Sequence, residues 1–223
     1  SISLYTNNGN SLFIRDQAES NKLTAVRQGS LDWGDFDGDG TLDLLVTGAD
    51  PSGLAFTRIY SNDGEGVLSF VSTSLPNVRN GSGAWADYDL DGDLDVLLAG
   101  NTGSARITRV YRNNNGSFGN LINLSPIEQG EARWGDYDND GYPDIILGGS
   151  NGSGGRLTQL WRNTNGTGFA NQTATSAVLA DLDDSPSYAF GDYDGDQKLD
   201  LAMMGQVNAI GTKTFVLYRN LNA

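Results

Sequence analysis

Apolar residues recur along the chain with a period of two. Leu94, Val96 and Leu98 alternate with Asp95 and Leu97, the spacing of a β-strand whose successive side chains point to opposite faces. Leu97 is itself apolar, and so are Leu45, Ile146 and Ala202 at the corresponding places of three further runs. A strand apolar on both sides is expected to be covered on both sides. The four runs occupy residues 42–48, 94–100, 145–148 and 199–205, and each ends in glycine. Behind each lies a second run closing on aromatic-X-Asn: Tyr60-Ser61-Asn62, Tyr111-Arg112-Asn113, Trp161-Arg162-Asn163 and Tyr218-Arg219-Asn220. A fifth copy, Tyr5-Thr6-Asn7, stands alone near the start. Turns such as Asp63-Gly64 and Asn115-Gly116 separate the runs. No stretch keeps an i, i+3, i+4, i+7 apolar pattern, so no helix is expected.

A nine-residue stretch with aspartate at positions one, three, five and nine precedes each of the four runs. Its copies are residues 35–43, 87–95, 136–144 and 192–200, so successive copies are spaced by 52, 49 and 56 residues. An aromatic stands two residues before each copy: Trp33, Trp85, Trp134 and Phe190. Each unit thus offers about four short strands in ~50 residues, the size of one propeller blade. The expected fold is all-β, a single β-propeller domain over residues 1–223 with about four four-stranded blades. The chain opens with the third and fourth strands of a unit, near residues 3–6 and 11–15, and closes with the first three strands of another. That register leaves one strand over. It fits part of a larger seven- or eight-bladed ring, completed by further sequence or by a second copy of the chain in a homodimer. Residues 171–187 are the least repeat-like. The chain opens on Ser1 without a leader-like segment, as expected of a processed piece of a longer protein.

Clustered carboxylates in register call for a cation. Ca²⁺ takes six to eight oxygens at roughly 2.3–2.6 Å, and alternate side chains of a tight loop converge on one point. The expected ligands of the first loop are Asp35, Asp37, Asp39, the Thr41 carbonyl and Asp43. Those of the second are Asp87, Asp89, Asp91, Asp93 and Asp95; of the third, Asp136, Asp138, Asp140, Tyr142 and Asp144. Those of the fourth are Asp192, Asp194, Asp196, Lys198 and Asp200. Glycine at position six, as at Gly40, permits the positive φ that turns such a loop. An EF-hand is excluded, because it wants a bidentate acid at position twelve, where Val46, Leu98, Leu147 and Met203 stand. Mg²⁺ ranks second, since it demands tighter octahedral geometry. About four calcium ions are expected, one per loop. The fourth site is expected to be the weakest, because Gln197 replaces glycine and Lys198 brings a positive charge. At ten times Kd each ion adds about 1.4 kcal/mol, so four add roughly 5–6 kcal/mol, comparable to the stability of a typical domain. Chelation is therefore expected to lower the melting temperature substantially.

Composition narrows the partners. The formal charge is −14, from 28 acidic and 14 basic residues. Nucleic acids and anionic membranes both need a cationic face, so neither is an expected partner. There is no cysteine and no histidine, which removes disulfides, thiolate chemistry, the commonest general base and the commonest zinc ligand. No run approaches the ~20 apolar residues of a membrane helix, so no membrane insertion is expected. The repeated Trp33, Trp85 and Trp134 are expected to pack between blades rather than stack on sugars. Arg58 and Arg109 are expected to form cross-strand pairs, and the acidic run 181–184 to be a solvated loop.

The Asp-x-Asp-x-Asp-Gly-x-x-Asp loop after Trp-Gly-Asp or Phe-Gly-Asp, followed by Leu-Asp-Leu-Leu-Val-Thr-Gly and Thr-Arg-Ile-Tyr-Ser-Asn, resembles the FG-GAP/VCBS repeats of integrin-α-like β-propellers. Ala189-Phe190-Gly191-Asp192 is the nearest echo of the Phe-Gly signature. The resemblance implies calcium on the loop between the first two strands of each blade, at the Asp positions above, and a ring of seven or eight blades. Its members include cell-adhesion receptors, fungal lectins, bacterial surface proteins and some polysaccharide lyases. The expectation for this chain is a non-enzymatic, calcium-stabilised module of a secreted or cell-surface protein, for adhesion or recognition of a carbohydrate or a cell-surface protein. The alternatives are a polysaccharide-degrading propeller enzyme and a ligand-free spacer of a large surface protein.

Overall fold

The computed structural model describes residues 3–7, 9–10, 12–152, 154–172, 179–207 and 212–221, without the side chains of 120, 183 and 184. It opens with the hairpin β1 (Leu4–Asn7) and β2 (Phe13–Asp16) and a one-turn helix α1 (Gln17–Ser20). Blade I is β3 (Leu31–Gly34), β4 (Asp43–Ala49), β5 (Ala55–Asn62) and β6 (Leu68–Val71). Blade II is β7 (Arg79–Ala86), β8 (Asp95–Asn101), β9 (Arg106–Asn114) and the first half of β10 (Ser117–Gly135). The second half of β10 turns into blade III, pairing with β11 (Asp144–Ser150), which continues to β12 (Arg156–Asn163) and β13 (Phe169–Asn171). Blade IV is β14 (Asp183–Gly191), β15 (Asp200–Gln206) and β16 (Lys213–Tyr218). All pairings are antiparallel meanders.

Double-sided apolarity has the expected cause. Phe36, Leu45 and Ile59 of blade I pack on Trp85, Val96, Leu98 and Tyr111 of blade II. Tyr88, Leu97 and Val110 of blade II pack on Ala132, Ile145 and Leu147 of blade III. Ile146 and Leu160 of blade III then meet Leu182, Tyr188, Leu201 and Met203 of blade IV. Each fully buried aliphatic side chain contributes about 1.5–3 kcal/mol. Odd and even residues of β8 thus serve different junctions, which is why Leu97 is as apolar as Val96 and Leu98.

The Trp-Gly-Asp glycine has a steric reason. A Cβ on Gly34 would come 2.8 Å from Trp85 of the next blade, and one on Gly135 would come 2.3 Å from Phe190. The incoming ring lies against a backbone without a side chain. Trp85 is buried, stacked on Phe36 at 5.9 Å, and Trp134 is half-buried against Phe169. Trp33 departs from the expectation: it is 47% exposed, and no blade among the described residues precedes it to seat the ring. Blade IV carries the complementary feature. Tyr193, Met204, Phe215 and Leu217 are exposed on it, and no apolar cluster among the described residues joins blade IV to blade I.

The short helix was not expected. Asp16 caps it by accepting the Glu19 N–H at 2.9 Å, a local polar signal that apolar periodicity does not register. Glu19 is buried and its carboxylate accepts the Leu68 N–H at 2.8 Å. With Leu4, Leu23 and Val26, this segment covers the face of blade I formed by Leu44, Val46, Phe56 and Tyr60.

Candidate metal centres

Each nine-residue loop joins the innermost strand of its blade to the second, and its carboxylates divide the work. Position one closes the turn: Asp35 accepts from the N–H groups of Asp39 and Gly40 at 3.1 and 2.9 Å. Asp87, Asp136 and Asp192 make the same pair of bonds in their own loops. Position five accepts from position seven, so that Asp39, Asp91, Asp140 and Asp196 take the N–H groups of Thr41, Asp93, Tyr142 and Lys198. Position nine is buried in every copy and anchors the loop to the third strand. Asp43 takes the Phe36 and Asn62 N–H groups, and Asp95, Asp144 and Asp200 repeat this with Tyr88 and Asn113, Tyr137 and Asn163, Tyr193 and Asn220.

Position three is the least committed carboxylate: it takes one N–H in the fourth loop, where Asp194 accepts from Asp196 at 3.3 Å, and keeps a free oxygen in the second and third. Asp89 Oδ1 and Asp138 Oδ1 are buried with no hydrogen-bond partner among the described residues. Ligand oxygens of Asp35, Asp37 and Asp39 lie within 4.8 Å of one another, as do those of Asp87, Asp89 and Asp95, of Asp136, Asp138 and Asp144, and of Asp192, Asp194 and Asp200. Three carboxylates converging with an orphaned oxygen fit a hard cation. When bound, such an ion supplies the positive charge that lets these carboxylates stay ionised side by side. Without it the field is unfavourable. Burial pushes Asp95 and Asp144 up to about 7, against the two N–H groups that each accepts. Asp37 and Asp89 are also raised, first by desolvation and then by Asp39 and Asp91 respectively.

Two features escaped the sequence reading. Positive φ occurs at position four as well as position six: Gly38, Leu90, Asn139 and Gly195 lie at +73°, +59°, +57° and +79°. Gln197, at position six of the last loop, takes φ +67° where Gly40, Gly92 and Gly141 take +88° to +97°. The second feature is a resident cation in three loops. Arg112 pairs with Asp89 and Asp91 at 2.7 and 2.6 Å, Arg162 with Asp138 and Asp140, and Arg219 with Asp194 and Asp196. Each is the middle residue of an aromatic-X-Asn triplet. The signal was in the sequence, since Ser61 holds that place in blade I and arginine in the other three. The other recurrent arginines pair across strands as expected: Arg58 lies over the Phe70 ring of the neighbouring strand as well as over Phe56, and Arg109 donates to Asn123, its register partner.

Comparison with known families decides the relationship. The FG-GAP-like repeat matches residues 35–98, 87–147 and 136–203, spanning each loop through the second strand of the following blade. The chain belongs to the FG-GAP-like repeat family. Among solved structures, an Agrocybe aegerita lectin, whose description is the specific recognition of non-reducing terminal N-acetylglucosamine, shares the propeller architecture with a TM-score of 0.57. It is 17% identical, and the match covers 98% of this chain and 60% of that one. The chain thus spans 60% of that lectin's length. A search of curated proteins returned no match.

Proposed function

We propose that the chain is a calcium-stabilised, non-enzymatic recognition module of a secreted or cell-surface protein, with a glycan or a cell-surface protein as its partner. The observation that carries this reading is the fourfold repetition of one cation-ready loop. Positions one, five and nine fold the loop, and position three converges on them with an oxygen that stays unpartnered in the second and third copies. Clustered acids used alike in every blade are framework rather than a single catalytic pair. Ca²⁺ suits them better than Mg²⁺, because flexible all-oxygen sites favour the larger ion. The lectin that shares the architecture recognises a terminal sugar, which makes glycans the first partners to try.

Glycan-array binding by the labelled chain, in calcium and in excess chelator, tests the proposal. Saturable binding to a defined glycan subset, together with a melting temperature that falls in chelator, is the expected result. An unchanged melt in chelator removes the calcium part. An array with no signal, followed by no capture of purified cell-surface glycoproteins, removes the recognition part.

A further inference from the structure

One polar position recurs in all four blades outside the acidic loops: Gln28, Asn80, Gln129 and Ser185. All four have positive φ, at +56°, +54°, +51° and +62°. In blades II, III and IV they sit where the inner strand bulges, between Arg79 and Ser82, between Glu128 and Glu131, and between Asp183 and Ser187. The next residue is Gly29, Gly81, Gly130 or Pro186, and a Cβ on any of those glycines would fall 1.9–2.2 Å from a carbonyl oxygen of the adjoining strand. Glycine is therefore placed where the chain must pass closely. At the left-handed position itself, where glycine would also be easiest, three blades carry an amide and one a hydroxyl.

These four residues line one cavity of about 330 Å³, with Ser82 and Glu131 among its other walls. It lies where the inner strands of successive blades meet, joined by Ser30 to Gly83, Ser82 to Ala132 and Glu131 to the Tyr188 N–H. Its size falls in the range of small-molecule sites. Among the described residues, the side chains of Gln28, Gln129 and Ser185 make no hydrogen bond, and Asn80 Oδ1 is buried with no partner. The neighbouring groups are committed: the Ser30 and Ser82 hydroxyls bond across blades, and the Glu131 carboxylate takes Arg133 and the Tyr188 N–H.

We propose that this inner cavity binds a neutral polyhydroxylated ligand, a single sugar unit, through Gln28, Asn80, Gln129 and Ser185; this rests on the recognition reading above. An amide presents a donor and an acceptor side by side, and a hydroxyl does both, which matches adjacent sugar hydroxyls. An anion would find no positively charged residue among the walls and would meet Glu131. A metal ion would find only that one carboxylate, with both oxygens already accepting. Backbone strain held at a repeated position, with the side chains kept free, is the mark of a site rather than a structural turn.

The test uses the triple variant Gln28→Gly, Asn80→Gly, Gln129→Gly. Glycine relieves the left-handed strain at each position, which offsets the entropy it adds to the unfolded chain, so the melting temperature stays near the native value while the amides are gone. The probes are glucose, galactose, mannose and N-acetylglucosamine, followed through the side-chain amide NMR signals of the native chain and by calorimetry of both proteins. Saturable shifts of the three amide pairs with one of these sugars, and affinity reduced at least about tenfold in the variant, support the site. Equal affinity in the variant overturns the cavity and leaves recognition to another surface. A variant that melts lower shows the amides to be structural and likewise overturns it. No amide shift with any of the four sugars overturns the cavity, and the recognition reading falls with it only when the glycan array and the glycoprotein capture are both silent.

Discussion

The Nδ2 group of Asn113 donates to the backbone carbonyl of Phe36 at 2.7 Å, across 77 residues and one blade junction. The same amide donates to the Leu94 carbonyl at 3.0 Å, and its Oδ1 accepts the Gly116 N–H at 2.8 Å. Asn163 and Asn220 bind the Tyr88 and Tyr137 carbonyls in the same way. In blades II, III and IV the third residue of the aromatic-X-Asn triplet therefore staples the acidic loop of its own blade to the loop of the preceding one.

Asn113→Ala strands two carbonyls and one N–H in a buried place, and is expected to cost about 2–4 kcal/mol. Asn62→Ala is the control, because Asn62 donates only to its own blade, at the Leu42 carbonyl, and its part-exposed site readmits water. Urea denaturation of the two variants measures the difference. Equal losses would remove the cross-blade bond as the cause.

The Phe-Gly and Trp-Gly pairs make a similar contrast. Gly135→Ala drives a methyl into Phe190 and should cost about 1–3 kcal/mol, the usual price of overpacking. Gly191→Ala, at the same point of blade IV, meets nothing within 4 Å and should stay within about ±0.5 kcal/mol. Thermal melts of both variants in calcium check this. A neutral Gly135→Ala would show that Phe190 is free to move away.

Much of the fold was legible because it is written in repetition. Leu45, Leu97 and Ile146, apolar where alternation alone would put a polar residue, announced faces covered on both sides, and the aspartate spacing announced the loops. What stayed hidden depends on what lies opposite. Trp33 and Trp85 are identical in local pattern, yet one is exposed and the other buried, because among the described residues only Trp85 has a blade before it. The arginines of the triplets were visible as residues, but their pairing with the acidic loops joins segments about 20 residues apart. The left-handed amides at Gln28, Asn80 and Gln129 had no readable signal, since nothing local distinguishes a bulge from an ordinary strand start.

Gln197 tests the strain at position six. Its φ of +67° is one that a side chain adopts reluctantly. Gln197→Gly should stabilise the metal-free chain by up to about 1 kcal/mol, the relieved left-handed strain less the entropy glycine adds to the unfolded chain, whereas Gly40→Ala, at φ +88°, should destabilise it by about 1–2 kcal/mol. Calcium titration of the Gln197 variant then tells strain from charge. If affinity at the fourth loop rises, the glutamine was the weakness; if it does not, Lys198 is the remaining cause.

Arg162 holds Asp138 and Asp140 together where an ion would otherwise do so. An exposed pair of this kind contributes at most about 1 kcal/mol, less in high salt. Its effect on metal binding should be larger than its effect on stability, because the ion must share or displace the guanidinium from both carboxylates. Arg162→Ser is therefore expected to melt slightly lower in chelator and to gain more from calcium than the native chain. Ser61→Arg should do the reverse in the first loop, supplying the cation that only that loop lacks among the four. Melting curves at low and high calcium, repeated at raised ionic strength, read out both variants. Identical calcium increments in all three proteins would mean that the arginines bind only the outer carboxylate oxygens and leave the ion's own ligands untouched.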